Sequence, residues 1–328
     1  MSSSAHDLFQ QIQSIYLSLI RLPNLAPGPQ INSLLTRVVD LCTTPRSEEF
    51  TNYVLRIKNM DILCANLRTI CGTAEGELEA YWARRFLNSP PPFPNLTTTL
   101  LTTFPYHTNY LDLSALECSA LEAFLPPSSS TTTTLHIAFL GSGPLPLTSY
   151  CMLDRYPHAT VHNIDRSTDA LRVSHSLTEI LGYAGRMTFQ CLDVSLPLTV
   201  TTPHYAKNGS TMENEIGVNA IIGNGEGKTE GESQDWGKFD IVFLAALVGT
   251  DTRSKLEILA NVARALRPGT LVVVRSAWGL RGVLYPVLEL SEEVFRIGFE
   301  VLVVVHPWTE VVNSVIVLRV RERDDEVR

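Results

Sequence analysis

Leu135–Pro146, LHIAFLGSGPLP, carries an apolar run that ends at Gly141-Ser142-Gly143. This pattern predicts a buried strand entering a tight glycine turn and then a helix start. Glycine at 141 and 143 lets the backbone turn sharply and lets a ligand lie against bare main chain. Pro144 and Pro146 suit the first turn of a helix, where no amide hydrogen is needed. The third glycine of the pattern GxGxxG, due at 146, is replaced by Pro146. Its absence argues against a pyrophosphate-bearing cofactor and leaves a nucleoside without phosphates. Asp165 closes the next predicted strand, ATVHNID, where a carboxylate can accept both ribose hydroxyls of an adenosine. Asp193 closes MTFQCLD, a place suited to the adenine amino group. The competing role for each is helix N-capping. Ala245 and Ala246, in the stretch Ala245–Val248 after the fourth predicted strand, would line the same crevice.

A second group of residues could do acid–base work. Glu75, Glu77 and Glu79 lie in AEGELEAYWARRF. Glu75 and Glu79, four apart, share one helical face. A carboxylate beside a cationic sulfonium ligand would serve as a base. The competing reading is a first-turn acidic cluster that complements the helix dipole. FPYHTNYLDL places Tyr106 and Tyr110 just before a helix, either hanging over the crevice or anchoring the loop. Arg275-Ser276 ends the fifth predicted strand. An arginine buried there calls for an anion, either a substrate carboxylate or an Asp or Glu of the protein. His306, Glu310 and Asn313 fit structural hydrogen bonding on a hairpin better than metal binding.

The elements that must position these groups fall into two patterns. Helical spacing dominates residues 5–88, with breaks at Pro23–Pro29 and before Ser47. Ser47–Thr73 and Gly76–Leu87 read as two helical pieces, and Leu111–Leu125 as another. Pro126–Thr134, PPSSSTTTT, has linker composition. Strands are then predicted at 135–140, 159–165, 187–192, 240–246, 270–276, 300–306 and 312–320. Helical patterns at 144–156, 167–183, 252–266 and 288–298 lie between them. The expected organisation is a helical domain over 1–125, a linker over 126–134 and a Rossmann-like α/β domain over 135–328. The last two strands are too close in sequence for a parallel crossover and should form an antiparallel edge hairpin. That layout is common among adenosylmethionine-dependent enzymes. Residues 201–237, rich in Gly, Asn, Thr, Glu and Ser, read as a solvated insertion.

Composition narrows the partners. The 328 residues carry a net charge of −8 and no Lys/Arg cluster, which disfavours nucleic acid. No apolar run approaches the ~20 residues of a membrane span, and no secretory signal is evident. Six scattered cysteines fit reduced thiols in a cytoplasmic protein, with no zinc pattern. Oligomeric state is not readable.

FLGSGPLPLTSY, FPYHTNYLDLSALE, DIVFLAALVGTDTRSK, LRPGTLVVVRSAWGLRGVLYPVL and VVVHPWTEVVNSVIV together resemble the nicotianamine synthase family. The likeness runs from about residue 60 to residue 319. The insertion at 201–237 and Trp278, where plant members usually carry His, depart from the plant pattern and suggest a fungal member. The resemblance implies that three S-adenosylmethionine molecules are joined by successive 3-amino-3-carboxypropyl transfer and azetidine ring closure, with release of methylthioadenosine. The product is a metal chelator, but the enzyme itself needs neither a metal nor a cofactor beyond S-adenosylmethionine, its substrate. The resemblance puts Gly141, Ser142, Gly143, Pro144, Asp165, Asp193, Ala245 and Ala246 around the adenosyl group. It puts the catalytic base at Glu75 or Glu79 and the tyrosine at Tyr106 or Tyr110, with Glu79 and Tyr106 the favoured pair. Arg275 and Ser276 are candidates for a substrate carboxylate. The alternatives are an ordinary methyltransferase, a relative making another opine-like product, and a module that binds without turnover.

Overall fold

The computed structural model describes residues 2–88, 102–125, 134–198 and 235–322. Among the described residues, five helices precede the sheet: α1 (Ser2–Leu19), α2 (Pro29–Thr43), α3 (Glu48–Leu55), α4 (Met60–Leu87) and α5 (His107–Glu122). The α/β part follows as β1 (His136–Leu140), α6 (Leu147–Arg155), β2 (Thr160–Asp165), α7 (Thr168–Ile180) and β3 (Met187–Cys191). It continues as β4 (Ile241–Leu244), α8 (Thr252–Ala265), β5 (Leu271–Ser276), α9 (Glu292–Arg296), β6 (Phe299–Val305) and β7 (Ser314–Val320). The expected linker lies outside the described residues except for Thr134, and so does the expected insertion except for 235–237. Trp236, placed in that insertion by composition, is buried in a short 3-10 turn that leads into β4.

The seven strands are ordered β3-β2-β1-β4-β5-β7-β6. β1 to β5 run parallel, and β7 is antiparallel to both β5 and β6. This is the expected helical unit followed by a mostly parallel Rossmann-like sheet with an antiparallel edge. Period-two alternation splits each central strand between two cores. Ile137, Phe139, Phe243 and Val273 face one core together with α6 and α7. Ala138, Leu140, Val242 and Val274 face the other, closed by Leu256, Leu259 and Val262 of α8. Helix starts follow local chemistry: Ser167 accepts the Ala170 N–H at α7, and Asp251 and Ser254 form a reciprocal capping box at α8.

α4 departs from the sequence reading. The expected Ser47–Thr73 helix breaks after α3, where Asn59 adopts a φ of 70°, a conformation asparagine tolerates. The chain then runs as one helix of 28 residues through Gly72 and Gly76, about 40 Å long at 1.5 Å per residue. A Cβ on Gly72 would stand 3.4 Å from the Leu247 side chain, so the glycine marks a close approach rather than a break. Glu75, Glu77 and Glu79 therefore sit mid-helix, and the helix-dipole reading of them is overturned.

Two segments cross between the halves of the chain. Leu280, Val283 and Leu284, from the turn after β5, are part of the core formed by α1 to α4. Arg68 of α4 donates to the Gly282 carbonyl at 2.7 Å and holds this segment. In the other direction, α5 lays Leu113, Cys118 and Leu121 into the sheet core. Glu117 of α5, fully buried, takes both Nε (2.7 Å) and Nη2 (3.0 Å) of Arg275 on β5, and Thr148 of α6 accepts from the same Nη2 at 2.7 Å. Breaking a buried pair by removing one partner leaves an uncompensated charge. Glu117→Gln is accordingly expected to cost about 3–5 kcal/mol in urea unfolding. Adding Arg275→Met should recover most of that loss. An unchanged unfolding midpoint in the single variant would contradict the account.

Candidate active site

The turn after β1 is built by two glycines for different reasons. Gly141 has a φ of +81°, and a Cβ there would come within 2.3 Å of Val248 Cγ2 and 3.2 Å of Ala245 Cβ. Its bare face thus meets the loop after β4. Gly143 has a φ of +64°, and a Cβ there would come within 2.7 Å of Glu79 Oε2. The Glu79 carboxyl therefore lies directly against the glycine turn, which joins the two groups of candidates found in the sequence. Asp165 holds the turn from below: its Oδ2 accepts the Gly143 N–H at 2.9 Å and its Oδ1 accepts the Ser167 N–H at 2.9 Å. Ser167, not Asp165, caps α7. The buried Ser142 hydroxyl has no protein partner among the described residues.

Glu75 and Glu79 project from one face of α4, one turn apart. Each accepts a hydrogen bond from a half-buried phenol. Tyr110 donates to Glu79 Oε1 at 2.6 Å, and Tyr285 donates to Glu75 Oε2 at 2.7 Å. α5 begins at His107, so Tyr110 stands in its first turn and bonds Glu79 of α4, whereas Tyr106 precedes the helix as its N-cap residue. The expected pairing of Glu79 with Tyr106 is thus replaced by Glu79 with Tyr110. Enough protein surrounds the two carboxyls to strip their hydration, although part of each residue remains reachable by solvent. That desolvation, reinforced by the charge of Glu75 and then of Asp165 against the opposing Tyr110 bond, pushes Glu79 up to about 8. Burial likewise raises Glu75, against the Tyr285 bond and the Arg275 charge. Both phenols are held well above their ordinary value by burial and by the neighbouring carboxyls.

The remaining candidates divide. Ala245 and Ala246 lie just past β4, and Ala245 Cβ would stand 3.2 Å from a Cβ on Gly141. Lys255, fully buried, donates to the carbonyls of Ala246 (2.9 Å) and Val248 (2.8 Å) and fixes that loop. Burial pushes its ammonium down to about 7. Pro144 follows the turn and is buried. Asp193 lies two residues beyond β3, exposed, and its Oδ1 accepts from the Ser195 N–H (3.0 Å) and hydroxyl (2.6 Å), which keeps it below the usual carboxylate range. Arg275 and Ser276 are not displayed for a substrate. Arg275 has Glu117, the protein carboxylate the sequence left open as its partner, and the Ser276 hydroxyl accepts the Leu288 N–H at 2.8 Å. On the hairpin, His306 bonds Ser314 at 2.9 Å and stacks on Trp278 at 5.0 Å between ring centroids. Among the described residues, no group of three His, Cys, Asp or Glu could hold a metal ion.

Sequence reasoning missed Tyr285, Glu117 and Lys255. All three stand inside the motif strings that carry the family resemblance, but none has a chemical neighbour in sequence to mark it.

A Rossmann-like sheet whose glycine turn is met by the Glu79 carboxyl of α4 fits an S-adenosylmethionine-using enzyme of the transferase type. The family described as nicotianamine synthase protein matches residues 1–202 and 228–324. Nicotianamine synthase 3 of Oryza sativa subsp. japonica is 34% identical over 314 residues, 95% of this chain and 78% of that protein. Nicotianamine synthase of Solanum lycopersicum is 32% identical over 318 residues, 96% of this chain and 84% of that protein. The chain belongs to the nicotianamine synthase family. Its fold matches MtNAS in complex with MTA and tNA, with a TM-score of 0.70 at 19% identity over 96% of this chain and 98% of that one. It also matches a glutamate-to-glutamine mutant of MtNAS in complex with S-adenosylmethionine, with a TM-score of 0.68 at 19% identity over 95% and 98%.

The raised carboxyl has a thermodynamic consequence. A carboxyl whose folded pKa lies above its unfolded value stabilises the fold fully below the unfolded value, and that stability is lost as pH rises through the folded one. For Glu79 this window runs from 4.5 to about 8. The free energy of unfolding of the free protein is expected to fall across it, with Glu79 contributing at most about 1.4 kcal/mol per pH unit. Glu79→Gln should flatten the profile, measured by urea unfolding at successive pH values. Equal slopes in the two proteins would remove the raised pKa from the account.

Proposed function

We propose that this protein is a nicotianamine synthase that joins three S-adenosylmethionine molecules by 3-amino-3-carboxypropyl transfer and azetidine ring closure. The observation that carries the reading is the Glu79 carboxyl, held between the Tyr110 phenol and the Gly143 turn. On this reading the adenosyl group lies on the turn formed by Gly141, Ser142, Gly143 and Pro144. The unpartnered Ser142 hydroxyl faces it, and Asp165 takes the ribose while keeping the Gly143 amide in place. Asp193 serves the adenine, and Ala245 and Ala246 line the crevice. The relatives named for nicotianamine synthesis and the likeness to MtNAS with MTA bound support this placement.

The sulfonium carries three electrophilic carbons, and placement of the nucleophile selects among them. The lone pair of the acceptor amine attacks the γ-carbon of the aminocarboxypropyl arm. The N–C bond forms as the C–S bond breaks, and the bonding pair leaves with sulfur to give neutral methylthioadenosine. The proton from nitrogen passes to the Glu79 carboxylate. An alkylammonium near pH 7 is protonated and cannot attack, so a base with a pKa raised toward neutrality fits the task. The cationic substrate also resolves the apparent conflict that Glu79 is protonated in the free protein: a positive charge in the crevice favours the carboxylate and drives its proton out. Tyr110 keeps that carboxylate aimed. The sulfonium is already an activated leaving group, so the step asks for no metal. Six free thiols are consistent with a cytoplasmic setting.

Incubation with S-adenosylmethionine as sole substrate is expected to release methylthioadenosine and an azetidine-containing product, read by mass spectrometry. S-adenosylhomocysteine as co-product would instead indicate methyl transfer, and unaltered substrate would indicate binding alone. Glu79→Gln should lower turnover by at least about 10²-fold, as expected for loss of a general base, while S-adenosylmethionine affinity by calorimetry stays within a few-fold. Full activity in that variant would remove Glu79 from the mechanism.

A further inference from the structure

The Glu75–Tyr285 pair repeats the Glu79–Tyr110 pair one helical turn away. Both are a carboxyl of α4 accepting a short bond from a phenol supplied by another element, at 2.7 and 2.6 Å. The general base accounts for one pair only. Tyr285 comes from the segment after β5, which is held against α4 by the Arg68 bond to Gly282. The charged and titratable groups that act on Glu75 come from several elements: Tyr285, Arg275 of β5, Glu79 and Cys71 of α4, and Tyr106 and Tyr110 near the start of α5. Arg275 is already committed to Glu117. Among the described residues, Glu75 thus has no full cationic partner of its own, only a phenol, although it is desolvated. Such a carboxyl is a receptor for an ammonium.

Spacing identifies which ammonium. Residues four apart on a helix are separated by about 6 Å along its axis. In a chain grown by aminocarboxypropyl transfer, successive nitrogens are three carbons apart, about 5 Å when extended at ordinary bond lengths. The geometry points to Glu75 and Tyr285 as a second station that holds the nitrogen installed by the first transfer while the next nitrogen reacts at Glu79. This inference rests on the proposed aminocarboxypropyl chemistry and goes beyond it by assigning the two carboxyls to different turns of the reaction. In the first transfer the acceptor presents one amine, at Glu79. Held there as an ammonium, it first gives a proton to the Glu79 carboxylate; the neutral nitrogen then bonds to the donor γ-carbon, the C–S bond electrons leave with methylthioadenosine, and the nitrogen takes up the positive charge that sulfur loses. The product is longer by one unit and now carries a secondary ammonium three carbons behind its terminal amine. Glu75 takes that ammonium, which places the terminal amine at Glu79 for the second transfer. Tyr285 is a positioning residue that keeps Glu75 aimed into the chain path.

The test compares the single-transfer product with the final product, by mass spectrometry under single- and multiple-turnover conditions, for wild type, Tyr285→Phe and Glu75→Gln. Tyr285→Phe keeps the ring, and thermal melts of both variants establish that they are folded. In Tyr285→Phe the first transfer should stay within about threefold of wild type, and in both variants the ratio of single-transfer to final product should rise at least tenfold. An unchanged product ratio in folded Tyr285→Phe and Glu75→Gln, whatever the total rate, would overturn the second station and leave the proposed function standing. Wild-type protein that releases no methylthioadenosine would overturn both readings together.

Discussion

Two carboxyls that would rather be ionised are held on one face of a single helix, against a backbone turn that excludes a side chain. Everything else in the site follows from that constraint. Glu79 rests where a Cβ on Gly143 would stand 2.7 Å from its Oε2, so a side chain there would push the carboxyl aside. Where α4 passes the loop after β4, Gly72 faces the Leu247 side chain. Desolvation and mutual repulsion then favour the protonated form of Glu79, and a cation in the crevice reverses that preference. The site is therefore matched to a positively charged ligand through the energy it releases when one arrives.

The scaffold is organised to keep this strained arrangement in register. The buried Arg275–Glu117 pair with Thr148 ties β5, α5 and α6 together and so sets where Tyr110 stands on α5. Lys255 ties down the loop after β4, whose Val248 and Ala245 pack against Gly141. Arg281 donates to the carbonyls of Thr309 (2.7 Å) and Val311 (3.3 Å) and fixes the hairpin beside the segment that carries Tyr285. Each tie uses a cation on backbone carbonyls or on a buried carboxylate, in places where an apolar contact would fix position less sharply. The two halves of the chain share these ties, because the 280–284 segment belongs to the helical core and α5 belongs to the sheet core.

Much of this was legible in the sequence. The strands of the sheet announce themselves because burial on both faces demands continuous apolar runs, and the short link between β6 and β7 permits only an antiparallel pairing. Gly141, Gly143 and Asp165 were legible because a strand, a turn and a strand end have fixed spacing. Glu79 was legible as one of two carboxyls on a face. Its phenol was not, because the choice between Tyr106 and Tyr110 depends on α5 starting at His107, a cap without a side-chain signal. The unbroken course of α4 was hidden because glycine ordinarily weakens a helix, yet the helix continues through both Gly72 and Gly76. Tyr285 meets Glu75 across 210 positions and Arg275 meets Glu117 across 158, distances over which local pattern carries no information.

The central claim is that Glu79 holds a proton in the free protein and gives it up to a bound cation. Calorimetry of S-adenosylmethionine binding at pH 7, in buffers of different ionisation enthalpy, counts the protons exchanged. The account predicts that close to one proton leaves per site in the wild-type protein, as expected for a carboxyl with a pKa of about 8, and almost none in Glu79→Gln. Binding without proton release in the wild-type protein, or equal release in both proteins, would contradict it.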